Sequence, residues 1–129
     1  MKTLEEVREF FKKDQYAMES GAVIEEVQDG YARCVMELNE HHKNAMGAVM
    51  GGAIFTLADF TFAVASNWNK GPYVSLTAQI TYLGKTKGNK LIAEAKMMKE
   101  GRTTCYYLVE INDDLGNQVA HVTMSGFAV

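Results

Sequence analysis

Apolar residues Leu4, Val7, Phe10 and Phe11 recur at helical spacing. Thr3 with Glu6 three residues on has the form of a capping box, so a helix is expected over residues 3–13. Two alternating runs follow, Ala22–Gln28 and residues 31–38, split by Asp29-Gly30, a strong hairpin signal. A polar loop over residues 39–44 runs on to Gly47. From Gly51 to Asn67 almost every residue is apolar or small, which predicts a long helix buried on most sides. The segment from Trp68 to Pro72 ends it. Four strands are then expected over residues 73–83, 90–100, 103–112 and 119–129, divided by turn-forming stretches at 84–89, 101–102 and 113–117.

One segregated long helix followed by strands in succession is an α+β layout rather than an alternating βαβ one. The simplest packing is one antiparallel sheet wrapped around a central apolar helix. Tyr82, Met97, Tyr106 and Met124 are then expected on the far face of the sheet, where an apolar patch would favour oligomerisation. Neither a linker nor an internal repeat divides the 129 residues, so a single domain over 1–129 is expected.

Charge and cysteines narrow the function classes. The formal net charge is −3, which disfavours nucleic acid as the main partner, because that binding needs a clustered basic face. The sequence has no apolar run of the roughly 20 residues that a membrane span needs. The N-terminal residues 1–7 are mixed and acidic without an apolar signal core, so a cytoplasmic address is the default expectation. Cys34 and Cys105 lie in strand-like runs without metal-ligand spacing and read as reduced sheet residues. No metal site is expected.

Asp59 is the outlier of the apolar helix. An ionised carboxylate is costly to bury unpaired, so an acid placed there is a functional candidate. It also fits a satisfied core role, bonded to a Ser or Thr of the sheet. Gly51-Gly52 opens the same helix and leaves backbone N–H groups pointing out of its positive end, where an oxyanion is favoured. The pair equally fits tight helix–sheet packing. Asp59 lies seven residues beyond Gly52, roughly 10 Å along the axis. A site using both therefore joins two subunits more naturally, with glycines from one and the acid from the other.

Several motifs together resemble the hotdog-fold acyl-CoA thioesterases, closest to their phenylacetate-degradation (PaaI-like) group. These are Asn44-x-x-Gly47-x-Val49-Met50-Gly51-Gly52, Leu57-Ala58-Asp59, Val74-Ser75-Leu76-Thr77 and Ile80-Thr81-Tyr82-Leu83. Gly88, Leu91, Ala93-Glu94-Ala95, Gly101-Arg102-Thr103, Gly116 and Val119-Ala120 extend the likeness to the C-terminus. The resemblance implies a hotdog fold and hydrolysis of an acyl-CoA thioester. Asp59 would be the catalytic carboxylate, as general base or nucleophile. Gly51 would donate its N–H to the thioester carbonyl, Asn44 would orient water or thioester, and Ser75 would hold water or the acid. It also implies a homodimer with a continuous sheet, often doubled to a homotetramer, with Asp and Ser from one subunit and Asn and the glycine loop from the other. No separate cofactor is implied, since coenzyme A (CoA) arrives as part of the substrate.

One departure stands out: Met50 occupies the position where the family often has His. A thioether neither donates a hydrogen bond nor transfers a proton, although backbone polarisation at Gly51 needs no side chain. His41 and His42 read as solvated loop residues and His121 as a structural residue of the last strand. Substrate-binding candidates are Met50, Gly52, Tyr82, Leu83 and Arg102. Among the basic residues that suit the CoA phosphates (Lys85, Lys87, Lys90, Lys99 and Arg102), Arg102 is the best single choice. Phe55, Phe60, Phe62 and the methionines are candidates for an acyl pocket. The alternative readings are a non-catalytic acyl-CoA-binding protein, a dehydratase acting on acyl thioesters and a structural oligomerisation domain.

Overall fold

The computed structural model of the chain describes residues 2–129. Helix α1 spans Leu4–Phe11 and opens with the expected capping box: Thr3 Oγ1 accepts from the Glu6 amide at 3.2 Å, and Glu6 Oε1 accepts from the Thr3 amide at 2.9 Å. A second helix, α2 (Gln15–Ser20), lies where the sequence pattern gives no element. Six residues with only Ala17 buried are too short to display a period. The hairpin follows as strands β1 (Ala22–Gln28) and β2 (Tyr31–Glu37), then a 3-10 turn over Glu40–His42. The long helix α3 spans Gly51–Asn67. Strands β3 (Tyr73–Tyr82), β4 (Lys90–Glu100), β5 (Thr104–Asp113) and β6 (Gln118–Ala128) complete the chain.

The six strands form one antiparallel sheet in the order β1-β2-β4-β5-β6-β3. The sheet wraps α3, the α+β layout expected. Ala93 and Ala95 of β4, Tyr107 and Val109 of β5 and Val122 of β6 are buried on the face toward the helix, against Leu57, Ala58, Phe62 and Val64. Alanines on both layers let backbone approach backbone, while Phe62 and Tyr107 fill the remaining space edge-to-face at 5.4 Å. Truncating such a ring to Ala costs roughly 3–5 kcal/mol. Cys34 and Cys105 are free and buried, and burial pushes the Cys34 thiol up to about 12.

One expectation about the surface needs correction. Only Tyr106 stands on the far face of the sheet. Met124 is buried in the core, and Met97 continues the inward row of β4 over Gly30. Tyr82 falls in register with the inward residue Ala120 and reaches α3. Single turn-to-turn patterns do not reveal which alternate set faces in until the strands are registered against each other.

Helix α3 is buried on most sides, as expected, and one stripe stays open. Gly52 and Asp59 are exposed, with Phe55, Thr56 and Ala63 half-buried along the same stripe. The sheet curls around the remaining faces. Apolar composition cannot distinguish a fully wrapped helix from one whose seam of small residues stays open in a single chain. No helix among the described residues is long and apolar enough to cross a membrane.

Candidate functional site

The start of α3 is held from outside the helix. The Met50 amide donates to the His42 carbonyl at 2.7 Å, and a short antiparallel bridge joins Lys43 to Val49. Asn44 shapes the loop between them: its Oδ1 accepts from the amides of Met46 (3.0 Å) and Ala48 (3.1 Å). Its Nδ2 has no acceptor among the described residues, and the residue is exposed. Met50 caps the helix without a side-chain hydrogen bond. The amides of Gly51 and Gly52 donate to no acceptor among the described residues. Two open N–H groups at the positive end of a 17-residue helix form an anion-favouring position.

Tyr82 closes on the same point from the sheet. Its hydroxyl donates to the Gly51 carbonyl at 3.0 Å. A Cβ at Gly51 would lie 2.8 Å from that oxygen, so the close approach depends on glycine. Gly51, Ile54, Tyr82 and Leu83 line a cleft of about 490 Å3. A second cleft, of about 370 Å3, adjoins it through Ala48, Val49, Lys85 and Thr86, and carries Lys43, Lys85 and Lys87. Thr86 Oγ1 is buried and unpartnered between the two, the only such side-chain atom among the described residues. Sequence reasoning missed Thr86, because an orphaned hydroxyl is a property of packing. On the other flank of the helix start, Met50, Ala53, Thr56, Tyr16, Ser20 and His41 border a hollow of about 360 Å3.

The wall formed by residues 84–89 is fastened from the β5–β6 turn. Asp113 is 2% exposed. Its Oδ2 accepts from the amides of Lys87 (2.8 Å) and Gly88 (3.0 Å), while its Oδ1 accepts from those of Leu115 and Asn117. Asn117 Nδ2 donates to both oxygens. Burial alone would raise the Asp113 pKa, but the bonds from Asn117, Lys87 and Gly88 outweigh it and hold the carboxyl well below the ordinary range.

Asp59 is exposed in the single chain rather than buried. It has neither a hydrogen-bond nor an ion-pair partner among the described residues, so it is not a satisfied core acid. Its pKa is raised, first by desolvation from the surrounding protein and second by the charge of Asp14. Ser75 lies in register with the inward residue Gly126, beside the β3 bulge at Leu76, and is exposed. It is seven residues from Tyr82 on β3, roughly 23 Å of strand. Within one chain, therefore, Asn44, Met50, Gly51, Gly52, Tyr82 and Leu83 gather at one end of α3. Asp59 lies mid-helix, and Ser75 lies toward the other end. Arg102 sits exposed in the turn between β4 and β5, at the Tyr73 end of the sheet and away from the Gly51 cleft.

His42 is also corrected: it is 5% exposed rather than solvated. Its Nδ1 accepts from the Asn39 amide at 3.0 Å, which leaves Nε2 to donate to the Ser20 carbonyl at 2.6 Å. His41 is exposed, and His121 lies on the outer sheet face 3.7 Å from Glu110. Phe60 and Phe62 belong to the core, packed on Phe11 and Tyr107, and only Phe55 borders the open stripe. No group of three or more His, Cys, Asp or Glu among the described residues is placed to hold a metal ion.

Comparison with known proteins gives this geometry a family. The profile of the Thioesterase superfamily matches residues 46–120, from the loop before α3 into β6. A protein of Archaeoglobus fulgidus is 35% identical over 91% of this chain and 77% of its own length. Acyl-coenzyme A thioesterase PaaI of Escherichia coli is 29% identical over 85% of this chain and 79% of its own. A solved structure of that PaaI protein superposes with a TM-score of 0.89 at 25% identity, covering 94% of this chain and 88% of the other. A hypothetical thioesterase protein from Streptococcus pneumoniae, solved with coenzyme A, superposes with a TM-score of 0.85 at 26% identity over 92% of this chain and 96% of the other. With the profile covering the glycine-opened helix, Asp59 and strands β3 to β5, the chain belongs to the Thioesterase superfamily.

Proposed function

We propose that the chain hydrolyses acyl-CoA thioesters to the free acid and coenzyme A, at a site shared between two subunits. The observation that carries this reading is the pair of unpartnered amides at Gly51 and Gly52, where Gly51 lines a cleft that adjoins a second one carrying Lys43, Lys85 and Lys87. The thioester carbonyl oxygen accepts from the Gly51 amide. The pantetheine arm runs past Tyr82 and Leu83, and the phosphates lie toward the lysines. CoA enters as part of the substrate, and the reaction needs no further cofactor. A solved structure supports coenzyme A as part of the ligand: the S. pneumoniae thioesterase protein was solved with coenzyme A.

The carboxylate comes from the neighbouring subunit. Strand β3 is one of the two edges of the sheet, with one side of its backbone unpaired and Leu76 58% exposed. Two β3 edges paired antiparallel about a two-fold axis bring the Tyr82 end of one chain beside the Tyr73 end of the other. Gly51 then faces the partner's Ser75 and the open stripe carrying the partner's Asp59, and the partner's Arg102 lies beyond. In this arrangement Asp59 takes a proton from water as the water oxygen attacks the carbonyl carbon. The oxyanion is held by the Gly51 amide and the helix end. On collapse the C–S bond breaks, and the proton passes to the leaving thiolate. Direct attack by Asp59, with water opening the resulting anhydride, uses the same placement. Asn44 Nδ2 and the Ser75 hydroxyl orient the water and the carboxylate.

CoA release by the wild type and by Asp59→Asn, followed with a thiol reagent across a panel of acyl-CoAs, tests the assignment. The expected loss in kcat is about 10²- to 10⁴-fold, the range for removing a general base. A variant as fast as wild type sinks the role. Met50 supports one second reading, a protein that binds acyl-CoA without turnover, because a thioether rather than an imidazole precedes Gly51 in the chain. Tight binding of acyl-CoA with no thiol release from the wild type favours that reading.

A further inference from the structure

Asp113 has a role that the hydrolytic chemistry does not use. It is a buried carboxylate at the end of β5, in the last turn of the chain, yet its Oδ2 reaches across to the amides of Lys87 and Gly88. Asp114 reinforces the same seam: its Oδ1 accepts from the Asn89 amide at 2.9 Å, and its own amide donates to the Lys90 carbonyl at 3.0 Å. A carboxylate can accept several N–H bonds at once, and charge-assisted bonds are about twice as strong as neutral ones. The segment fastened in this way, residues 84–89, carries Lys85, Thr86 and Lys87 along the two adjoining clefts. It has no helix or strand of its own, so its shape is set from outside.

We infer that Asp113 is a positioning residue for the phosphate-bearing part of CoA thioesters. It touches no reacting atom, but holds the 84–89 loop so that Lys85 and Lys87 flank the cleft leading away from Gly51. This inference rests on the acyl-CoA reading above. It separates binding of the nucleotide end from the chemistry at Gly51, because Asp113 holds the loop while lining neither cleft itself. Gly88 belongs to the same device. A Cβ there would fall 1.8 Å from Asp114 Oδ1, so a side chain at that point displaces the Asp114 carboxylate from its bond to the Asn89 amide.

Two variants, Asp113→Asn and Gly88→Ala, disturb the clamp from opposite sides. Each is compared with wild type on two thioesters of one acyl group. One is the CoA thioester, and the other is the N-acetylcysteamine thioester, which ends before the phosphates. For the CoA thioester, KM is expected to rise about tenfold or more with kcat within about twofold, the pattern of lost uniform binding. For the N-acetylcysteamine thioester, kcat/KM is expected to stay within about twofold of wild type. Equal losses on both substrates, or no change on either, overturn the inference. If wild type hydrolyses neither thioester, the thioesterase reading itself falls. The affinity of the same variants for coenzyme A then decides, and an unchanged Kd overturns the positioning role.

Discussion

Asp59 and Asp14 are two carboxylates close enough for the charge of one to raise the pKa of the other. A base must be ionised to work. Activity limited by Asp59 should therefore rise with pH through a value above the ordinary aspartate pKa of about 3.9. Removing the Asp14 charge in Asp14→Asn should move the acid limb of kcat/KM downward, because the second cause of the shift is gone while desolvation remains. An acid limb that does not move separates Asp14 from the site. Thr86 offers a different trade. A buried hydroxyl without a partner costs about 1–3 kcal/mol, so Thr86→Val should unfold at a higher temperature than wild type. If the hydroxyl bonds the CoA arm, the same variant raises KM. A more stable protein with unchanged KM leaves Thr86 a packing residue only.

Helix α3 joins three tasks in 17 residues: a buried face for the sheet, an open stripe, and a glycine start. The apolar pattern made its length and limits legible. Its open stripe was not legible, because Gly52, Thr56, Asp59 and Ala63 read as interruptions of an apolar helix until the sheet shows which face it leaves bare. The glycine start can be tested directly. Gly51→Ala places a Cβ 2.8 Å from Tyr82 Oη, so either Tyr82 or the first turn must move. A drop of about 10²-fold in kcat is expected, comparable to loss of one oxyanion donor. Tyr82→Phe keeps the ring and loses only the bond to the Gly51 carbonyl, so its effect should be smaller. If Gly51→Ala retains wild-type kcat, the backbone amide there is not polarising the substrate.

The sheet as a whole ends in an unfinished edge. Strand β3 pairs with β6 alone, and Val74 and Leu76 stand out from it into solvent. An unpaired edge of ten residues invites pairing with a second chain. The proposed composite site turns that pairing into a requirement for activity. Leu76→Lys, placed on the edge at the bulge, should shift the protein toward monomer in sedimentation equilibrium and lose hydrolysis in step with the dimer. A monomeric variant with full activity rules out a site shared between subunits.

The order of elements, the hairpin at Asp29-Gly30 and the long helix with its limits follow from periodicity and turn chemistry. These depend on residues close along the chain. The site motifs from Asn44 to Leu83 are legible for the same reason, since each is a short contiguous string. Helix α2, the burial of His42, the inward turn of Tyr82 and Met124 and the orphan oxygen of Thr86 depend on which distant segments meet. Only the folded arrangement decides them. Asp59 shows the division most clearly. Its sequence context marked it as an acid out of place, and the tertiary structure exposed it on an open stripe, away from Gly51 of its own chain. Helix rise fixes that separation, whereas the direction in which the carboxylate looks is fixed by how the sheet curls around the helix.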